Sequence, residues 1–139
     1  MDIFVYGTLR DEGVRKAVLG HAVAEVMAAY KPEHAALLVK GEAYPMIKPM
    51  VGENAPGVVL MGLSAEDLAQ LDRFEGEHYE RIATDVMLED GREYQTDMYV
   101  EIAGRDDDGP FDLEAWLVER REDFIQGFMQ GRGFDRPDD

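Results

Sequence analysis

The chain has 139 residues, 45% of them hydrophobic, which suits one domain with a core of its own. It contains no cysteine, so disulfides, thiolate nucleophiles and Cys-ligated metals are excluded. A formal net charge of −16 argues against a nucleic-acid partner, because that binding rests on Lys and Arg neutralising phosphates; the excess acid reads as solubility.

In chain order, Asp2 to Val5 is a short β-type run closed by a turn at Tyr6-Gly7. Val14 to Leu19 reads as a short helix with Gly20 as its stop. Ala22 to Tyr30 fits helix and strand equally. Ala35 to Val39 and Ala43 to Ile47 read as short strands separated by Lys40-Gly41, with Pro45 marking an edge or a bulge. Gly57 to Leu63 is a compact apolar run, consistent with a buried strand. Ser64 followed by Asp67 is a capping box with Asp in the usual Glu position, and Leu68 and Leu71 share a face of the helix that Gly76 ends.

Tyr79 to Leu88 alternates, with Ile82, Thr84, Val86 and Leu88 on one side. Asp90-Gly91 is the strongest hairpin signal, and Glu93 to Ile102 is the return strand. Gly104 to Pro110 reads as a polar loop. Asp112 then caps a helix with Leu113, Trp116, Leu117, Arg120, Phe124 and Phe128 at helical spacing. The sum is an α+β domain over residues 1–130, a small mixed β-barrel or strongly bent sheet with flanking helices, and a frayed acidic tail at 131–139.

No apolar run reaches the length of a membrane span, and Met1-Asp2-Ile3-Phe4 has no signal-peptide pattern, so a soluble cytoplasmic protein is expected. Oligomeric state is not legible.

The residue inventory narrows the chemistry. Ser64 is the sole serine and is spoken for as a cap, so with no cysteine the common acyl-enzyme mechanisms lack a nucleophile. His21, His34 and His78 show no metal-ligand spacing. Asp106-Asp107-Asp108-Gly109 lacks the twelfth-position glutamate of a calcium loop. Neither a P-loop nor a dinucleotide fingerprint is present. No metal and no organic cofactor are expected. What remains is a carboxylate, backbone amides and tyrosines. Glu75 stands where the helix before Gly76 ends, and Tyr6-Gly7-Thr8-Leu9 forms a turn whose N–H groups could form a nest for an anion. The helix dipole disfavours the Glu75 anion, and burial against Phe74 and Tyr79 would do so further. An ordinary exposed helix-end glutamate and a plain tight turn are the competing readings.

Val5-Tyr6-Gly7-Thr8-Leu9, Tyr44-Pro45, and Leu71-Asp72-Arg73-Phe74-Glu75-Gly76 followed by Tyr79-Glu80-Arg81 resemble the gamma-glutamylcyclotransferase-like family, which includes the gamma-glutamylamine cyclotransferases. The order and spacing agree across roughly residues 2 to 100. The resemblance implies a small mixed β-barrel with flanking helices. It implies an acyltransferase that converts a small-molecule γ-glutamyl substrate into 5-oxoproline and a free amine. Glu75 would be the general acid/base, Tyr6, Gly7, Thr8 and Leu9 would bind the glutamyl part, and Tyr79 would line the cavity. Tyr44 is a further substrate-binding candidate; a plain strand residue is the alternative for both Tyr44 and Tyr79. Asp72 and Arg81 read as surface charges, and Arg10 as either an attractor for the substrate carboxylate or a solvated loop residue. A non-catalytic binding protein on the same scaffold, or an enzyme trimming γ-glutamyl groups from a biosynthetic intermediate, are the rivals.

Overall fold

A computed structural model describes residues 1–129 of the chain. β1 (Ile3–Val5) leads into a 3-10 turn (Thr8–Arg10) and α1 (Glu12–Leu19). Two long strands follow, β2 (Glu25–Val39) and β3 (Pro45–Met61), then α2 (Ala65–Glu75). β4 (Tyr79–Leu88), β5 (Glu93–Glu101), β6 (Asp107–Pro110) and α3 (Leu113–Met129) complete the order.

Five strands close into a ring in the order β3-β1-β5-β4-β2, with β2 pairing back onto β3; β6 lies outside the ring on β2. β1 is parallel to β5 and every other pairing is antiparallel. This is the mixed barrel expected from the sequence. Successive side chains of a strand point to opposite faces. One set, including Phe4, Ala29, Val59, Val86, Leu88 and Met98, comes from all five barrel strands and fills the interior. The alternate set, including Ile3, Val5, Leu60 and Tyr99, packs against Val14 and Val18 of α1, Leu68, Leu71 and Phe74 of α2, and Trp116 of α3. Each such large apolar side chain, fully buried, is worth about 1.5–3 kcal/mol. Where β3 passes β1, a Cβ on Gly57 would stand 2.3 Å from the carbonyl oxygen of Val5 and 2.7 Å from the Phe4 ring, so only glycine permits this crossing.

The helix ends follow their local chemistry. Asp11 caps α1 by accepting from the N–H of Val14, and Gly20 closes it at φ 83°. Ser64 and Asp67 form the reciprocal capping box of α2. Asp112 accepts from the N–H of Ala115 at the start of α3.

Three expectations change. Ala22 to Tyr30 is strand from Glu25 onward, continuous with the run to Val39, and Pro45 to Met61 is likewise one strand. The three short strands and the undecided segment Ala22 to Tyr30 are therefore two long strands paired as a hairpin, with an irregularity between Pro32 and His34. The segment Gly104 to Pro110 is not wholly loop: Asp107 to Pro110 pairs with β2, and Asp108 accepts from the N–H of Gly41. On β4 the alternation buries Val86 and Leu88, while Ile82 is exposed. The expectation for the tail at 131–139 falls outside the described residues. Among those described, no helix is long and apolar enough to cross a membrane.

Candidate active site

β1 is fully buried, and the chain leaves the barrel at Tyr6, whose hydroxyl donates to the carbonyl of Tyr99 at 2.7 Å. The turn after it is held by two backbone bonds, from the N–H of Arg10 to the carbonyl of Gly7 and from the N–H of Asp11 to that of Thr8. The N–H groups of Thr8 and Leu9 lie at the open end of the turn, outside its own bonding. Behind it, the buried guanidinium of Arg15 donates through Nη1 to the carbonyls of Leu9 (3.1 Å) and Arg10 (2.8 Å). Arg15 thus occupies two of the turn's carbonyl oxygens. Asp11, which caps α1, also accepts from Arg121 of α3 at 2.8 Å, so the turn is braced from two helices.

Glu75 is the last residue of α2. Gly76 ends the helix at φ 75°, its N–H donating to the carbonyl of Asp72. Phe74 is buried and faces Phe124 of α3 edge-on at 5.8 Å. These anchors fix where the neighbouring carboxylate sits. One small cleft, with a cavity volume of about 30 Å³, is lined by Phe4, Val5, Tyr6, Gly7, Thr8, Leu9, Pro45, Phe74, Glu75 and Tyr99. Glu75 and all four residues of the turn therefore share one cavity.

Tyr99 is the residue that sequence reading missed. It is buried on β5, and its hydroxyl donates to the Asp72 carboxylate at 2.6 Å. Arg81 grips that carboxylate with two nitrogens, at 3.1 and 3.2 Å. Burial pushes the Asp72 carboxyl up, but the hydrogen bonds from Arg81 and Tyr99 outweigh it and hold the group below the usual aspartate range. Burial and the carboxylates of Asp72 and Glu75 push Tyr99 far above the ordinary tyrosine value, so it stays a phenol. Asp72 and Arg81 are exposed surface charges, as expected, and Asp72 in addition accepts from the hydroxyl of Tyr99.

Tyr44 and Tyr79 are not among the cavity-lining residues. Both are buried in the helix-facing core and meet edge-on at 6.2 Å. Tyr79 donates to the carbonyl of Pro45 at 2.6 Å, and Tyr44 accepts from Arg105 at 3.0 Å. They stand behind the wall that Pro45 presents to the cleft. Arg10 is partly buried and also outside the lining set. His21 lies elsewhere, bonded to Asp67 at 2.7 Å. Among the described residues no group of three or more His, Asp or Glu side chains is arranged to hold a metal ion.

Residues 3–118 match the family model for gamma-glutamyl cyclotransferase, AIG2-like, and the chain belongs to that family. AIG2-like protein C of Arabidopsis thaliana is 36% identical over 137 residues, covering 94% of this chain and 79% of that protein. AIG2-like protein A of the same plant is 32% identical over 132 residues, covering 93% and 79%. The solution structure of an Arabidopsis thaliana protein superposes with a TM-score of 0.70 at 29% identity, over 99% of this chain and 94% of that one. A solved gamma-glutamyl cyclotransferase shares the fold, with a TM-score of 0.64 at 18% identity over 73% and 66%.

Proposed function

We propose that this chain converts a γ-glutamyl amine or peptide into 5-oxoproline and a free amine, with Glu75 as general acid/base. The observation that carries this is the shared cavity: the Glu75 carboxylate-bearing residue and the turn from Tyr6 to Leu9 line the same cleft. Membership of the cyclotransferase family supports it.

The substrate brings its own nucleophile, the α-amine, four bonds from the γ-carbonyl carbon. The turn from Tyr6 to Leu9 holds the α-carboxylate through backbone N–H groups. Glu75 takes a proton from the α-ammonium. The freed amine attacks the γ-carbonyl, a carbon–nitrogen bond closes the five-membered lactam, and the original amide bond breaks. The leaving nitrogen receives that proton from Glu75; the attacking nitrogen then gives up its surplus proton to the same carboxylate, which passes it to the departing amine, so the product leaves as an ammonium ion and Glu75 returns to the carboxylate form. One group performs every transfer. The reaction is intramolecular, so holding the substrate folded supplies much of the rate. Tyr44 and Tyr79 support the Pro45 side of the cleft from behind.

The test is a panel of γ-glutamyl dipeptides, glutathione and γ-glutamylamines, assayed for products. Release of 5-oxoproline with one equivalent of free amine is the expected result. Release of glutamate instead would make the protein a hydrolase. Binding without any release would make it a binding protein on this scaffold.

A further inference from the structure

The mechanism above leaves one hydroxyl-bearing residue of the cavity lining unused. Tyr99 lines the cleft together with Glu75. A phenol has one proton to give and two positions at which to accept. Asp72 is a carboxylate, held as such by Arg81, and can only accept; the Tyr99 proton is therefore committed to it across 2.6 Å. A bond of this kind, to an ionised acceptor, is short and strong. The oxygen keeps its acceptor capacity, and none of the described residues donates to it.

We propose that the Tyr99 oxygen accepts a hydrogen bond from the α-ammonium of an amino-acid substrate, beside the Glu75 carboxylate, and thereby selects substrates that carry that amine. This rests on the γ-glutamyl reading given above. An ammonium presents three donors. Glu75 removes one proton when the reaction begins; Tyr99 holds a second N–H and so fixes the direction of the nitrogen lone pair. The turn that lines the same cleft suits the substrate's other charge. Arg15 occupies the carbonyls of Leu9 and Arg10, and the turn offers N–H groups to a carboxylate. A zwitterionic head group fits this arrangement in one orientation. A site built around a substrate N–H rejects the analogue lacking it, because its own polar groups are then left unpaired.

The experiment compares two γ-amides by NMR titration, L-glutamine and glutaramate, the latter being the same molecule without the amine. Wild-type protein binds L-glutamine the more tightly. Tyr99→Phe weakens L-glutamine by about 10- to 100-fold, the range for a hydrogen bond to a charged group, and leaves glutaramate within about twofold of wild type. The variant keeps Asp72 paired with Arg81, and the glutaramate arm reports whether the pocket is intact. Equal weakening of both compounds, or of neither, overturns the role of Tyr99 and leaves the γ-glutamyl reading standing. Failure of the wild type to bind either compound overturns both.

Discussion

Gly7 and Pro45, which both line the cleft, pack so closely that a Cβ on Gly7 would stand 2.7 Å from the Cγ of Pro45. Gly7 has a negative φ of −117°, so the demand for glycine here is steric and does not come from a left-handed backbone. Pro45 is backed by the Tyr79 hydroxyl on its carbonyl, which resists its displacement. Gly7→Ala is therefore expected to narrow the cleft. We expect a drop of at least about tenfold in kcat/KM and a destabilisation of about 1–3 kcal/mol from overpacking, read from steady-state kinetics and urea unfolding. Unchanged values of both would mean that this contact does not shape the site.

Gly57 gives a second steric test, remote from the chemistry. A methyl group there would press on the carbonyl of Val5 and the ring of Phe4, and backbone yields less readily than a side-chain tip. Gly57→Ala should lower stability by about 1–3 kcal/mol or more, measured as a shift of the urea midpoint. Wild-type stability would contradict the β1–β3 crossing described above.

Local signals were legible and non-local ones were not. The Ser64–Asp67 box, the Gly20 and Gly76 stops and the Asp90-Gly91 hairpin depend on residues a few positions apart, and all were readable. The turn at Tyr6 to Leu9 and Glu75 were readable as motif positions. Tyr99 was not, because its role depends on the parallel pairing of β1 with β5 and on Asp72 reaching it from α2. The two long strands looked fragmented because Pro32, Pro45, Pro49 and Pro56 break the pattern, whereas the hairpin pairing of β2 with β3 carries the strands through them. β6 was hidden in an acidic stretch whose partner, Leu37 to Val39, is about seventy residues away.

The His21–Asp67 pair should make stability depend on pH. Nδ1 of His21 faces the carbonyl of Ala22 and Nε2 faces Asp67, both acceptors, so both contacts are hydrogen bonds only when the ring is an imidazolium. The hydrogen bond to Asp67, aided by that to Ala22, raises His21 above its ordinary 6.5. Burial pushes Asp67 up, but the bonds from His21 and Ser64 leave it below its ordinary 3.8. The histidine's contribution is fully present below about pH 6.5 and is lost as pH rises through the higher folded-state value. The aspartate's contribution is present above about pH 3.8 and is lost on acidification below it. His21→Ala should therefore lower the urea midpoint more at pH 5.5 than at pH 8.5. A difference between the two proteins that does not change over this interval would sink the assignment.

Activity should survive exhaustive chelation, since the proposed chemistry needs only proton transfers among Glu75 and the substrate's own groups. Loss of turnover that one specific metal ion restores would overturn that expectation.

The most direct test of the central claim is 5-oxoproline release by Glu75→Gln, on whichever γ-glutamyl compound the wild type turns over. Glutamine keeps the shape of the side chain and lacks the base. Removing a general base costs about 10²–10⁴ in rate, so kcat should fall by that factor while the fold and the KM change little. Turnover at the wild-type rate by a folded Glu75→Gln protein would contradict the role given to this carboxylate.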